Sequence, residues 1–217
     1  MSITLYGFWR SLASFRVRAV LNLKGLTFAE VPVDLFKGEH FSADFSQKNP
    51  QHLLPALDHN GLMLTQSLPI IEYLDETCTP AGQAPLLPLD AAGRARVRGM
   101  ALIHAADAHP LVTPRVRGYL SSEHGVDEAG QLKWAQHWVA QGSEALEAHL
   151  AQSPAGAYAH GDQLTLADIG IVSHVVGARL FKADLSGQPR LVALADRLLA
   201  LEPIARAHPL AQPGAPK

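Results

Sequence analysis

The feature that most constrains the fold is the alternation of strand and helix patterns over the first third of the chain. Residues 3–6 form a short apolar run, and residues 11–24 place apolar side chains at helical spacing before Gly25. Residues 27–33 then alternate in polarity and are rich in β-forming side chains. This order predicts two parallel strands joined by a crossover helix.

A second pattern predicts a hairpin with a helix behind it. Residues 55–58 and 62–64 are short apolar runs separated by His59-Asn60-Gly61, and Asn-Gly between such runs is typical of a tight hairpin turn. Ser67 is the expected N-cap of the helix that follows and runs through Leu74. The element order β-α-β-(α)-β-β-α predicts an α/β domain over residues 1–80.

The remainder of the chain has a different pattern. Proline, glycine and polar residues predict a linker over residues 81–88, and from Asp90 onward no strand pattern follows. Thr165 and Asp168, three residues apart, form the expected capping box of one helix. The expected helices lie at 91–109, 127–151, 166–180 and 188–201, with a short one after Pro203. The predicted organisation is therefore an α/β domain, a linker, and an all-helical domain over residues 89–217.

Composition excludes several classes of function. The chain has 217 residues, a formal net charge of -2 and 47% hydrophobic residues, so neither nucleic acid nor an anionic membrane is an expected partner. No apolar stretch reaches the roughly 18 residues of a membrane span. Cys78 is the one cysteine, and a strand pattern starts at residue 3 without a basic start or a cleavage site, so we expect a cytoplasmic rather than a secreted protein. The histidines show no metal-binding spacing, and no metal is expected.

Three motifs carry a resemblance to a known family. The segment Arg10-Ser11-Leu12-Ala13-Ser14-Phe15-Arg16-Val17-Arg18 resembles the zeta-class glutathione transferase signature Ser-Ser-Cys-x-Trp-Arg-Val-Arg. Here Leu12, Ala13 and Phe15 replace its second Ser, its Cys and its Trp. Asn49-Pro50 with Leu54-Pro55 resembles the family's loop before the third strand, and Gln66-Ser67 resembles its glutamine-serine pair.

The resemblance implies a fold and an activity. The fold would be a thioredoxin-like α/β domain followed by an all-α domain, with glutathione as cofactor, a cis bond before Pro55 and a homodimer as the assembly. The activity would be cis–trans isomerisation of maleylpyruvate or maleylacetoacetate, by thiolate addition, bond rotation and elimination. A general transferase that conjugates or dehalogenates electrophiles is the alternative. A non-catalytic relative that binds glutathione or a protein is another.

The resemblance also implies roles for individual residues. A serine before a helix is by itself most often a cap, but here Ser11 is the expected activator of the glutathione thiol, with Ser14 as the alternative and Arg10 beside them. The implied glutathione-binding residues are Ser11, His40, Leu54, Pro55, Gln66, Ser67, His109, Thr113 and Arg115. Arginines suit a dicarboxylate substrate because their fork donates two hydrogen bonds, and the candidates are Arg10, Arg115 and Arg179. Arg16 and Arg18 are expected to hold the helix or an interface.

Overall fold

The computed structural model describes residues 2–154 and 156–216. The chain separates into two compact units, one running to Pro85 and joined by the residues from Ala200 onward, the other comprising Leu86–Leu199. The predicted boundaries differ from this division at the C-terminal end, where residues 200–216 group with the first unit. The α-helices of the described residues, over both units and in chain order, are α1 (Leu12–Leu23), α2 (Ala43–Lys48), α3 (Ser67–Cys78), α4 (Ala91–Leu102), α5 (His109–Leu111), α6 (Pro114–His124), α7 (Glu128–Ala151), α8 (Leu166–Leu180), α9 (Pro189–Leu199) and α10 (Glu202–Ala207).

The first unit is built on a four-stranded sheet in the order β2-β1-β3-β4. The strands are β1 (Ile3–Gly7), β2 (Ala29–Pro32), β3 (Ala56–His59) and β4 (Leu62–Thr65). Strands β1 and β2 are parallel, and the other two pairs are antiparallel. Asn60 and Gly61 both adopt positive φ, 53° and 88°, as a tight hairpin turn requires. The predicted crossover and hairpin are both confirmed.

Helix α1 is the central helix of this unit. Every residue from Leu12 to Leu21 is buried. Near its end, Asn22 Nδ2 donates to Pro203 O at 2.9 Å, and Arg206 Nη2 donates to Asn22 Oδ1 at 3.1 Å. These contacts seat α10 on α1 and explain why the C-terminal residues group with the first unit.

Every regular element of the second unit's described residues is a helix, and loops join them; one isolated bridge pairs Tyr158 with Gly161. The predicted capping box is confirmed: Asp168 Oδ2 accepts from Thr165 N at 2.7 Å, and Oδ1 accepts from Ala159 N at 2.8 Å. Burial raises the pKa of Asp168, opposed by these hydrogen bonds. Helix α6 is not among the predicted helices: its apolar pattern is short, and none of its residues is buried.

The helix predicted over residues 91–109 is helical along its whole length, but it changes from α to π form. Helix α4 stops at Leu102, and a π-helical segment, Ile103–Ala108, follows it. The segment carries His104, whose Nδ1 lies 3.3 Å from His174 Nδ1. His174 Nε2 in turn lies 2.9 Å from Ser143 Oγ. Because Ser143 Oγ donates to Val139 O, its oxygen accepts from His174 Nε2–H, and neutral His174 therefore presents a lone pair to His104.

Buried His174 makes the free energy of unfolding depend on pH. Burial lowers the pKa of His174 from 6.5 to about 4. Between these values the unfolded chain binds a proton at His174 that the folded chain does not bind, so we expect the free energy of unfolding to fall as pH falls through this window. The loss reaches about 3 kcal/mol near pH 4, and His174 contributes no slope above its unfolded pKa.

Urea denaturation at a series of pH values measures this slope. A His174→Gln variant keeps a donor and an acceptor but does not titrate, so its slope over the same window is expected to be shallower. As a control, His137→Gln replaces an exposed histidine on α7 and should keep the wild-type slope. Equal slopes for wild type and His174→Gln would contradict the assignment.

Candidate functional site

Ser11 lies at the start of α1, where the chain leaves β1. It is the N-cap residue, and its Oγ accepts from Ser14 N at 3.1 Å. The Ser11 amide donates to Phe8 O at 3.0 Å, which closes the turn. The side chain is half-buried, and within the part of the chain that the structure describes nothing accepts its hydroxyl proton. That proton is available to an acceptor outside the chain.

Ser14, the alternative to Ser11, has a different environment. It is completely buried, and its Oγ accepts from Phe8 N at a long 3.5 Å. A Cβ placed on Gly7 would come within 3.4 Å of that oxygen, so the hydroxyl packs against the end of β1. Of the two hydroxyls, only that of Ser11 is partly exposed.

Arg18 anchors the turn that carries Ser11. Its Nε donates to both carboxylate oxygens of Glu30, at 2.8 and 2.9 Å, and its Nη2 donates to Phe8 O at 2.8 Å. Burial lowers the pKa of Arg18, and the Glu30 carboxylate opposes that shift. The Phe8 carbonyl thus accepts from both Arg18 and the Ser11 amide, so strand β2, through Glu30, fixes the start of α1.

The start of α3 differs by one residue from the sequence-based prediction. Ser67 is not the N-cap but the first helical residue, and Gln66 occupies the cap position with a positive φ of 68°. The Ser67 oxygen accepts two hydrogen bonds from Arg16, at 3.1 Å from Nε and 2.8 Å from Nη2. The exposed side chain of Gln66 donates to Gln51 Oε1 at 2.8 Å.

The sequence predicts for Arg16 only a role in holding the helix or an interface, whereas the structure shows a direct contact with Ser67. Arg16 is 2% exposed. Burial lowers its pKa to about 9, so the side chain still carries its positive charge at neutral pH. The Arg-Val-Arg motif marks Arg16 in the sequence, but it does not identify Ser67 as its partner, because Ser67 lies 51 residues away.

The loop before β3 has the geometry that the resemblance implied. The Leu54–Pro55 peptide bond is cis. Asn49 is buried and supports the loop, with Nδ2 donating to Leu53 O at 2.7 Å and Oδ1 accepting from Gln51 N at 3.0 Å. Neither the amide nor the carbonyl of Leu54 has a hydrogen-bond partner within residues 2–154 and 156–216. This main chain can pair with an extended peptide.

Two further candidates lie in the first unit. His40 is half-buried, its ring stacks on Phe41, and its carbonyl lies 3.0 Å from His52 Nδ1. Burial, with a smaller effect of His52, lowers the pKa of His40. Arg10 is exposed, and among the described residues no side chain or backbone group pairs with it.

The remaining candidates lie in the second unit. His109 is the first residue of α5, and its ring lies 5.3 Å from that of His104. Thr113 is the N-cap residue of α6 and donates its hydroxyl to Pro110 O at 2.9 Å. Arg115, in the first turn of α6, is exposed. Arg179 already has a carboxylate partner, since its Nη2 lies 2.6 Å from Asp196 Oδ1. His109, Thr113 and Arg115 therefore lie on one segment, from α5 to the first turn of α6, whereas Arg179 lies on α8.

The groups of the first unit fit glutathione. Glutathione has a thiol, a peptide backbone and a carboxylate on its γ-glutamyl end. Ser11 and Ser67 each have a hydroxyl proton with no acceptor in the described residues, both at helix N-termini, where anions are stabilised. Leu54 offers an unpaired amide and carbonyl. The described residues hold no group of three or more His, Cys, Asp or Glu that could bind a metal ion.

The Arg18–Glu30 pair leads to a stability prediction. Glu30→Gln keeps the shape of the side chain but removes the negative charge opposite a buried guanidinium. Because the Glu30 side chain is 26% exposed, we expect the free energy of unfolding to fall by about 1–3 kcal/mol, the cost of leaving a buried donor poorly satisfied. The matched control is Asp44→Asn, which neutralises an exposed pair with Lys48 and should leave the urea midpoint unchanged. If both variants shift the midpoint equally, Arg18 does not depend on Glu30.

Comparison with known proteins agrees with this geometry. Residues 1–76 match the family described as Glutathione S-transferase, N-terminal domain. A maleylpyruvate isomerase of Ralstonia sp. is 44% identical over 211 residues, which cover 96% of this chain and 98% of that protein.

Two solved structures have the same fold over nearly the whole chain. One is a holo maleylpyruvate isomerase, described as a bacterial zeta-class glutathione S-transferase, with a TM-score of 0.93, 43% identity, and coverage of 98% and 100%. The other is the maleylacetoacetate isomerase of Methylobacterium extorquens AM1 with bound malonate and glutathione, with a TM-score of 0.94, 42% identity, and coverage of 99% and 100%. The chain described here is therefore a member of the glutathione S-transferase family, in its zeta class.

Proposed function

We propose that this chain is a glutathione-dependent cis–trans isomerase of maleylpyruvate or maleylacetoacetate. The observation that carries the proposal is the Ser11 hydroxyl, which lies at the start of α1 with its oxygen bound by the Ser14 amide and its proton unclaimed by any described residue. Relatives that match almost the entire chain carry these two activities in their names.

The role of Ser11 follows from the energetics of a thiol. A free thiol has a pKa near about 8.5, so little thiolate exists at neutral pH. A hydroxyl donor and the positive end of a helix together stabilise an anion by about 1–3 kcal/mol. About 1.4 kcal/mol corresponds to one pKa unit, so this stabilisation lowers the pKa of the thiol by about one to two units, toward neutral pH. The complete burial of Ser14 favours Ser11 as the donor.

The other residues of the first unit would hold the tripeptide. The Ser67 hydroxyl and the first amides of α3 would bind the γ-glutamyl carboxylate, with Gln66 beside them. Leu54 would pair through its main chain, and Pro55 would hold that main chain in place. His40 would serve the glycine end. His109, Thr113 and Arg115 stay predictions as further glutathione contacts.

The chemistry needs a nucleophile and a site for an acidic substrate. Bound glutathione would supply the sulfur that adds reversibly to the cis double bond, which allows rotation about that bond before the sulfur leaves. Arg10 is the first candidate for the substrate carboxylates, because it is exposed, adjoins Ser11 and has no partner in the described residues. Arg115 is also exposed, whereas Arg179 would have to leave Asp196.

Three properties implied by the family stay predictions: a homodimer, a cytoplasmic location and the identity of the acid. None of the described helices has the length and apolar character needed to cross a membrane.

A substrate assay tests the proposal. With glutathione present, we expect the protein to convert maleylpyruvate or maleylacetoacetate to the corresponding trans acid. The change in absorbance measures this conversion, and we expect no conversion without glutathione. Chlorodinitrobenzene and dichloroacetate are the comparison substrates. Faster turnover of either, with both maleyl acids unchanged, would replace the isomerase by a general transferase.

Ser11→Ala tests the thiol activator. We expect kcat to fall by up to about 150-fold, because the variant loses the hydroxyl's share of the roughly 1–3 kcal/mol above but keeps the helix end, with little change in the Kd of glutathione. The control is Ser42→Ala, because Ser42 caps α2 with the same geometry, accepting from Phe45 N at 3.2 Å. It should lose some stability but retain kcat. An unchanged kcat in Ser11→Ala would exclude Ser11 as activator.

A further inference from the structure

We propose that Arg16 is a positioning residue that makes Ser67 an obligate hydrogen-bond donor, so that the start of α3 selects a carboxylate over an amide. The inference rests on the proposed glutathione site and adds to it a residue that controls which chemical group the site accepts.

The argument begins with the hydrogen-bonding capacity of a hydroxyl. A serine oxygen has one proton to donate and two lone pairs that accept. Arg16 Nε and Nη2 both donate to Ser67 Oγ, at 3.1 and 2.8 Å, and together they use both lone pairs. Ser67 can then only donate. Throughout residues 2–154 and 156–216 nothing accepts that proton.

Burial makes this arrangement rigid. Arg16 is 2% exposed and Ser67 is 5% exposed, so little room exists for the hydroxyl or the guanidinium to turn. The guanidinium is planar, with its donors in a fixed fork, and two of them reach one oxygen at the same time. A lysine has a single ammonium at the end of a flexible chain and cannot reproduce that double contact.

The consequence is selectivity for the ligand group. The first amides of α3 and the Ser67 hydroxyl are all donors, and the positive charge of Arg16 lies directly behind them. A carboxylate offers acceptors to every one of these groups. A primary amide presents an N–H₂ donor in place of one oxygen, so at least one donor faces another donor. Sites of this kind reject the wrong group by leaving buried polar groups unpaired.

The other arginine of the motif provides an internal control. Arg18 lies two residues along α1 and contacts Glu30 and Phe8 O rather than Ser67. Arg16 and Arg18 are comparably buried and belong to the same helix. A general effect of disturbing the core of α1 should therefore appear in variants of both, whereas an effect through Ser67 should appear only in variants of Arg16.

The experiment measures binding rather than turnover. Titration calorimetry gives the Kd of glutathione and of an analogue in which the γ-glutamyl α-carboxylate is converted to the primary amide. The variants are Arg16→Lys, Ser67→Ala, the double variant and Arg18→Lys. We expect Arg16→Lys and Ser67→Ala each to weaken glutathione by about tenfold or more and to reduce the ratio of the two Kd values. Adding Arg16→Lys to Ser67→Ala should change the Kd by less than about threefold.

Two further readouts separate positioning from a structural role. In the maleyl-acid assay, Arg16→Lys should raise KM for glutathione and leave kcat at saturation nearly unchanged. Arg18→Lys should lower the melting temperature but keep the amide-to-acid Kd ratio. Ser67→Thr retains a hydroxyl and should retain the ratio, which keeps the test decisive if Arg16→Lys does not fold.

The outcomes distinguish this proposal from the proposed function. Additive losses in the double variant, or an undiminished ratio in Ser67→Ala, would overturn the role of Arg16 and leave the isomerase standing. Coupled losses without conversion of either maleyl acid would support Arg16 and overturn the isomerase. Absence of any glutathione binding in the wild-type protein would overturn both.

Discussion

The burial of helix α1 is the constraint on which the rest of the first unit depends. Ten consecutive residues of this helix are buried, and two of them are arginines. A buried guanidinium is strongly destabilising unless nearby groups accept its hydrogen bonds. The hydrogen bonds of Arg16 and Arg18 described above therefore stabilise the fold, and they reach three other segments: the start of α3, strand β2, and the turn before Ser11. The polar groups of the buried helix thus set the positions of both serine hydroxyls that the proposed site uses.

This view gives a physical meaning to the departures from the zeta-class signature. Leu12, Ala13 and Phe15 replace Ser, Cys and Trp, and all three are buried. The replacements therefore take part in the packing of α1, while the two arginines and the leading Ser11 are kept. A mechanism that requires a thiol from the protein at Ala13 has no basis here, and the chemistry would depend on the sulfur of glutathione and on the surrounding donors.

Local signals in the sequence were enough to predict the sheet, because a hairpin turn such as Asn60-Gly61 and the alternation of apolar residues act over short distances. They also identified Ser11 and Ser67 as residues at helix starts. They assigned Ser67 to the N-cap position, whereas the structure has Gln66 as the N-cap and Ser67 as the first helical residue. No local pattern predicts the positive φ of Gln66. The contact between Arg16 and Ser67 joins residues far apart in sequence, so no local pattern predicts it. Helix α6 has no buried residue and only a short apolar pattern, so its periodicity is weak.

The return of α10 to α1 has a consequence for synthesis. Asn22 and the Phe15 ring receive their partners Pro203 and His208 only after the whole helical unit has been translated. At about 5–20 residues per second, the roughly 180 residues between them take on the order of 10 to 40 s. During that interval the nascent α1 lacks one of its covering surfaces, although its sheet partners have already emerged. The N-terminal unit therefore begins folding first on the ribosome and is completed last.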